Sequence, residues 1–315
     1  MIVIESEKFM IKEPTAVTIG NFDGVHLGHQ KLVQTILDYA KIDKLKSVVF
    51  SFSPHPMEFF KRQEGFKTMF SVEEKKFVIE NLGVDILIQY PFNREFASLK
   101  PEEFMDLLIE KINCRVLVVG ENYHFGKDQC GDINTLKELG SKKGITVIGI
   151  PRVKIHDVRV SSTRIRGLIE NGDMETVTKL LNKPYFAMGE VVHGDERGRT
   201  MNFPTINMLP TLKKLLPPDG VYFSRVWIEG KMYAGMSNIG VNPTFNGEAR
   251  KIETHIFDFD KKSMVGFYKR IRSERKFENA GELIKQLNED RERCKNYAEG
   301  SFLEEFKLKR YKCEG

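Results

Sequence analysis

The chain has 315 residues, of which 41% are hydrophobic and 30% are charged, and its formal net charge is +5 at neutral pH. This length fits two ordinary domains better than one, and no apolar run reaches the roughly 18 residues that a membrane-spanning helix needs. Basic and acidic residues are interspersed, so a nucleic acid is not the favoured partner, and the lack of a spanning run predicts no membrane partner. The sequence has no signal-peptide pattern and its cysteines are scattered, which predicts reduced thiols and a cytoplasmic location.

The first half alternates strand-like runs with helical patterns. Residue 31 to residue 40 has apolar side chains at helical spacing, and Pro101 stands where a later helix would begin. This rhythm predicts an α/β domain with a Rossmann-like parallel sheet. The predicted strands are residues 15–19, 47–52, 85–89, 115–119 and 145–150.

The second half changes rhythm, because strand-like runs follow one another without helices between them. Successive strands of this kind predict antiparallel pairing in a small β-barrel, and an apolar face over 280–291 predicts a C-terminal helix. Asn182 and Pro184 interrupt a helical pattern, so we place the domains at 1–183 and 184–315. The predicted strands are residues 221–228, 231–237, 251–259 and 266–272.

The most specific motif lies where the first predicted strand passes into the first helix. A helix start offers free amide groups to an anion, and Gly20 and Gly28 would let a phosphate approach the backbone. His26 and His29 could then neutralise phosphate charge. The alternative is that the glycines only shape a tight loop and the histidines lie on the surface. The motif reads Thr18-Ile19-Gly20-Asn21-Phe22-Asp23-Gly24-Val25-His26-Leu27-Gly28-His29.

This segment resembles the signature of nucleotidylyltransferases, and more closely that of the prokaryotic bifunctional riboflavin kinase/FMN adenylyltransferase family. Pro54-His55-Pro56 and Ser161-Ser162-Thr163-Arg164-Ile165-Arg166 are similar to two further family elements, although prolines also stop strands and serines also cap helices. The resemblance implies that His26, His29 and Arg166 are catalytic in adenylyl transfer, with Asp23 close to a magnesium ion. It also implies a set of nucleotide-binding residues: Gly20, Phe22, Asp23, Gly28, His55, Ser162, Thr163 and Arg164.

A fourth element follows the predicted strand at 115–119. The loop at 120–126 resembles the flavin and nucleotide loop of the family, which implies that Asn122, Tyr123 and Phe125 bind the flavin. Gln129 stands where the family usually has an arginine. If that arginine serves the substrate phosphate, FMN affinity is affected here, although Lys127 could compensate.

The second half carries the kinase elements. Pro204-Thr205-Ile206-Asn207 resembles the Pro-Thr-x-Asn motif of riboflavin kinases, and Gly194 and Gly198 lie in the glycine-rich stretch before it. Alternation along an extended segment places Thr205 and Asn207 on one side, where both could face magnesium and nucleotide phosphate. Without the resemblance, the stretch could be a long hairpin.

A run beginning at Glu253 is similar to the Glu-x-His-Ile run of the family. The resemblance implies that Glu253 is the general base of the kinase, whereas a solvent-facing carboxylate is the ordinary alternative. Two positions depart from the family: Asn202 replaces a glycine, and Ser273 is set against the arginine that opens the Arg-x-Glu-x-Lys-Phe run of the family.

The resemblance thus implies an α/β nucleotidylyltransferase domain followed by a β-barrel riboflavin kinase domain with a C-terminal helix. It implies phosphorylation of riboflavin to FMN and adenylylation of FMN to FAD, with ATP as co-substrate, pyrophosphate as product and Mg²⁺ at both sites. One alternative is a paralogue with one active half, prompted by Gln129, Asn202 and Ser273. Another is a flavin- or RNA-binding regulator on the same fold. The sequence does not indicate an oligomeric state.

Overall fold

A computed structural model describes residues 1–60, 65–192, 205–228, 231–241, 250–256 and 264–300. The chain divides into two compact units, the first formed by residues 1–68 and 72–162, the second by residues 69–71 and 163–315. Over the described ranges, no helix combines the length and the apolar character needed to cross a membrane.

The first unit is built on a six-stranded sheet in the order β1-β4-β3-β2-β5-β6. Every neighbouring pair of strands is parallel, and β2 is buried along its whole length, as expected for a sheet covered on both faces. The five predicted strands are confirmed. The sixth escaped prediction because it has only three, largely exposed residues. The strands are β1 (Ile2–Ile4), β2 (Thr15–Ile19), β3 (Lys46–Ser53), β4 (Ile86–Pro91), β5 (Cys114–Gly120) and β6 (Thr146–Ile150).

Helices follow the strands of this sheet, as the alternating pattern predicts. Pro101 begins α5, where its missing N–H costs nothing, and Phe104 and Leu108 of this helix join Phe50 and Leu117 of the sheet in one core. The helices are α1 (Leu27–Asp43), α2 (Pro56–Phe59), α3 (Val72–Asn81), α4 (Arg94–Ala97), α5 (Pro101–Glu110) and α6 (Ile133–Lys143). A hairpin of β7 (Lys154–Ile155) and β8 (Val158–Arg159) precedes α7 (Ser162–Asn171).

The second unit contains an antiparallel half-barrel of seven strands in the order β10-β11-β14-β13-β12-β15-β9. The predicted antiparallel sheet with a C-terminal helix is confirmed, and the helix extends beyond residue 291. Residues 257–259 of one predicted strand lie outside the described residues. The elements are α8 (Met174–Leu181), β9 (Tyr185–Ala187), β10 (Gly189–Val192), β11 (Ile206–Pro210), β12 (Gly220–Ile228), β13 (Lys231–Val241), β14 (Arg250–Ile256), β15 (Met264–Ser273) and α9 (Ala280–Gly300).

A buried ion pair attaches α9 to this sheet. Arg272 Nε donates to Asp290 Oδ2 at 2.7 Å, and Gln286 Nε2 donates to Asp290 Oδ1 at 2.9 Å. Asp290 is fully buried. The carboxylate is therefore held between a strand arginine and an amide of its own helix.

Replacing Asp290 with alanine should destabilise the second unit by about 3–5 kcal/mol, because Arg272 loses its buried counter-charge. Trp227 is the single tryptophan of the chain and lies on β12, so urea unfolding followed by its fluorescence measures the change. Glu289→Ala, at an exposed position of the same helix, is the matched control and should shift stability by no more than about 0.5 kcal/mol. Equal effects of the two substitutions would contradict the assigned ion pair.

Candidate active site

The loop between β2 and α1 holds its backbone in an unusual conformation. Phe22 and Val25 have φ values of 49° and 43°, and Gly24 has a φ of 79°. The left-handed region costs a non-glycine residue on the order of 1–3 kcal/mol and persists only where surrounding structure enforces it. Phe22 and Val25 are both fully buried. Packing thus helps to keep the loop in a strained form immediately before the two histidines.

The structure brings His26 and His29 into direct contact at the start of α1. His26 is the N-cap residue, and its Nδ1 accepts a hydrogen bond from the backbone N–H of His29 at 3.3 Å. The two rings stack with centroids 3.8 Å apart and planes 9° apart, and the Phe22 ring lies 5.0 Å from that of His29. The predicted strand-loop-helix setting is therefore present, while the catalytic role of the two imidazoles stays a prediction.

Gly28 is the residue that makes room for this arrangement. A Cβ at this position would lie 3.0–3.1 Å from ring atoms of His26. That separation forces one of the two groups to move.

We expect Gly28→Ala to lower the rate of the FMN adenylylation that the resemblance implies by about 10- to 100-fold, because displacing a positioned group by a fraction of an ångström is costly in catalysis. Alanine has a higher helix propensity than glycine, so the loss would not arise from a weaker helix. Initial rates of FMN adenylylation measure the effect. Gly167→Ala on α7, where a Cβ would enter open space, is the control; an equal loss there would refute the steric explanation.

The first residue of α7 contacts the same loop. Ser162 Oγ donates to the backbone carbonyl of Asp23 at 3.3 Å, and the Asp23 side chain is buried. Thr163 and Arg164 follow as exposed residues, and Arg166 is half-buried. Ser162 thus joins two of the predicted elements. One is the loop between β2 and α1, residues 20–26, which we call the histidine loop, and the other is the start of α7.

His55 follows β3 at the carboxyl edge of the parallel sheet. It caps α2, with its Nδ1 accepting from the backbone N–H of Met57 at 3.1 Å, and its ring lies 4.8 Å from that of Phe66. The ring is half-buried. Capping gives this histidine a structural task, and a nucleotide contact stays a prediction.

The predicted flavin loop presents its three residues differently. Asn122 is exposed and Tyr123 is half-buried, whereas Phe125 is buried and packs 5.0 Å from Phe104 in the core. The rings of Tyr123 and Phe125 are parallel to within 7° at 6.1 Å. Gln129 lies exposed beyond this loop with a φ of 59°. Phe125 thus contacts both the core and the Tyr123 ring, and the flavin contacts of all three residues stay predictions.

In the second unit, β11, β14 and β13 align three polar residues. Asn207 lies directly opposite Glu253, and Glu253 lies directly opposite Asn238. Opposite residues of antiparallel strands point to the same face of the sheet. Glu253 is half-buried and forms an ion pair with Lys251 on its own strand. We call Asn207, Glu253 and Asn238 the polar row.

Asn207 is suited to a cation. Its side chain is buried, and its Oδ1 accepts no hydrogen bond from any described residue. Thr205 lies exposed just before β11. Amide and hydroxyl oxygens are ligands that Mg²⁺ accepts alongside phosphate oxygens and water, so these residues fit the ion. The described residues contain no cluster of three or more His, Cys, Asp or Glu that would hold a metal. Gly194 and Gly198 lie outside the described residues.

Sequence reasoning missed two residues of this site and misaligned one family motif. Asn238 and Lys251 were not predicted as site residues, and only the strand register brings Asn238 beside Glu253. The family run Arg-x-Glu-x-Lys-Phe fits when it is read from Arg272 to Phe277. Ser273 therefore occupies a variable position of this run, and its arginine is present as Arg272. The prediction that Ser273 replaces an arginine is wrong.

Comparison with protein families places the chain among enzymes that transfer phosphate-containing groups. Family models described as FAD synthetase and riboflavin kinase match residues 8–164 and 181–298, respectively. The bifunctional riboflavin kinase/FMN adenylyltransferase of Bacillus subtilis (strain 168) is 38% identical over 301 residues, covering 91% of this chain and 95% of that protein. The protein of the same name from Escherichia coli (strain K12) is 34% identical over 286 residues, covering 89% and 91%. The chain belongs to the bifunctional riboflavin kinase/FMN adenylyltransferase family.

A solved structure shares the fold. A crystal structure described as a macrolide-efflux protein from Streptococcus pneumoniae aligns with a TM-score of 0.86 and 33% identity, covering 94% of this chain and 99% of that chain. The predicted order of a nucleotidylyltransferase-like domain followed by a riboflavin kinase domain is confirmed by this likeness and the two family matches.

Proposed function

We propose that this chain phosphorylates riboflavin to FMN and then adenylylates FMN to FAD, with ATP as the second substrate of each reaction. The observation that carries the adenylylation is the stacked pair of His26 and His29 at the start of α1, joined through the adjacent loop to Ser162. We assign adenylylation to residues 1–183 and the kinase reaction to residues 184–315.

In the adenylylation, a phosphate oxygen of FMN attacks the α-phosphorus of ATP and pyrophosphate leaves. Such a transfer depends mainly on positioning and on neutralising charge in the transition state. His26 and His29 supply donors at a helix start whose dipole also favours an anion. Arg166, with Ser162 and Thr163, would hold the polyphosphate, while His55 and Arg164 would complete the nucleotide contacts.

In the kinase reaction, a hydroxyl oxygen of riboflavin attacks the γ-phosphorus of ATP and ADP leaves. Glu253 would accept the hydroxyl proton, and its ion pair with Lys251 would orient the carboxylate. Asn207 and Thr205 would hold Mg²⁺. When bound, this ion neutralises charge on the ATP phosphates.

The test is an incubation of the purified chain with ATP, Mg²⁺ and either riboflavin or FMN, followed by chromatographic separation of the flavins. We expect FMN and FAD from riboflavin, and FAD from FMN. FAD from FMN without any FMN from riboflavin would leave only the adenylyltransferase, and the converse would leave only the kinase. A chain that binds flavin but forms neither product would be the regulator considered above.

A further inference from the structure

A buried lysine contacts the start of the histidine loop and has no role in the proposed reactions. Lys75 of α3 is 7% exposed. Its Nζ donates to the backbone carbonyl of Asn21 at 3.2 Å and to Ser51 Oγ at 3.1 Å. Ser51 Oγ donates to the same carbonyl at 3.2 Å. Lysine, serine and carbonyl therefore form a closed triangle at the carboxyl ends of β2 and β3.

Keeping a cation at this position opposes folding. Burial lowers the pKa of Lys75 to about 8, an effect that the nearby Asp23 carboxylate partly offsets. At neutral pH the amine is still charged, so the folded state carries a desolvation cost that the unfolded chain does not. Replacing a buried charge by an apolar side chain of similar size is often neutral or stabilising. A role in stability alone does not account for this lysine.

The position of the triangle suggests a role for the buried Lys75 amine. Asn21 immediately precedes Phe22, the first residue of the loop with a left-handed backbone, and the strain continues to Val25, next to the N-cap His26. A strained loop needs neighbours that fix it from outside. Lys75 and Ser51 fix it at the carbonyl where it begins.

We propose that Lys75 is a positioning residue for adenylyl transfer, holding the Asn21 carbonyl so that the loop presents the His26–His29 pair in its reactive arrangement. This inference rests on the proposed FMN adenylyltransferase activity. Lys75 acts through the loop, because its hydrogen bonds go to the Asn21 carbonyl and to Ser51 Oγ.

The test compares Lys75→Met, Lys75→Arg and Ser51→Ala in the full chain. We expect Lys75→Met to lower kcat for FAD formation about tenfold or more, since misplacement of a catalytic group has effects of this size. The KM values for FMN and ATP and the kinase activity should change little, and the melting temperature should not fall. Lys75→Arg, which keeps the charge, should recover part of kcat. Lys76→Met is the matched control, because Lys76 lies on the same helix as Lys75 and is paired with Glu5 instead of with the loop.

Several results would overturn the proposal. One is an unchanged kcat in Lys75→Met, and another is parallel loss of both activities together with a lower melting temperature. An Arg variant as slow as the Met variant would also count against the proposal, because a second cationic donor would then fail to restore the loop. If the Met variant cannot be purified, Ser51→Ala decides, because it removes two of the three hydrogen bonds of the triangle and should still lower kcat.

The proposed function can fail separately from this inference. A parent chain that forms no FAD refutes the adenylyltransferase, whatever Lys75 does. Amide hydrogen exchange over residues 20–26 then tests the anchor itself: faster exchange in Lys75→Met than in Lys76→Met would support it, and equal exchange would overturn it.

Discussion

His29→Ala should abolish FAD formation from FMN while the same protein continues to convert riboflavin to FMN. His29 stacks on the capping His26 at a helix start, where an imidazole can donate to a phosphate oxygen as negative charge develops. Removing one such preorganised donor typically lowers kcat by about 100- to 1,000-fold. The kinase rate is the internal check on folding, because the variant changes no residue assigned to the kinase. Both rates can be measured in one preparation by supplying FMN or riboflavin with ATP.

His156→Ala is the matched control for this experiment. His156 is an exposed histidine of the same unit, in the β7–β8 hairpin, and its loss should leave both activities unchanged. An equal loss of FAD formation in the two variants would mean that the effect is not specific to His29. Parallel loss of kinase activity in His29→Ala would contradict separate sites.

Much of the first site could be predicted from the sequence because its residues lie in short local motifs. The strand, glycine loop and helix start around His26 are adjacent in sequence, so periodicity and helix-start signals are sufficient to place them. Lys75 and Ser51 could not be placed in this way. They lie 54 and 30 positions from Asn21, and only the parallel register of β2 with β3 brings Ser51 under the loop. A lysine in a helix is normally solvent-exposed, so no local signal marked Lys75 as buried.

The kinase site could also be predicted only in part from the sequence. Alternation could place Glu253 on one face of its strand, but pairing between strands cannot be read from alternation. Asn238 therefore became part of the polar row only through the register of β13 with β14. Phe125 shows a different limit, although its flavin contact stays a prediction. Its place beside Tyr123 suggested a ligand contact, whereas most of its surface is used by the core, because a large aromatic side chain gains more from burial than from exposure.

Glu253 is the residue on which the kinase activity should depend most. Glu253→Gln should abolish FMN formation from riboflavin and spare FAD formation from supplied FMN, because glutamine keeps the shape of the side chain but cannot accept the hydroxyl proton. Loss of a general base usually lowers the rate by about 100- to 10,000-fold. The measurement is the initial rate of FMN formation at saturating ATP and Mg²⁺.

Glu289→Gln, an exposed carboxylate on α9 of the same unit, is the control for this substitution and should retain full kinase activity. Lys251→Met separates the proton acceptor from the residue that orients it, since the carboxylate remains but loses its ion pair. We therefore expect a smaller loss than in Glu253→Gln. If Lys251→Met is the slower of the two variants, the lysine itself contacts the substrates and Glu253 serves only to hold it, which would reverse the assigned roles.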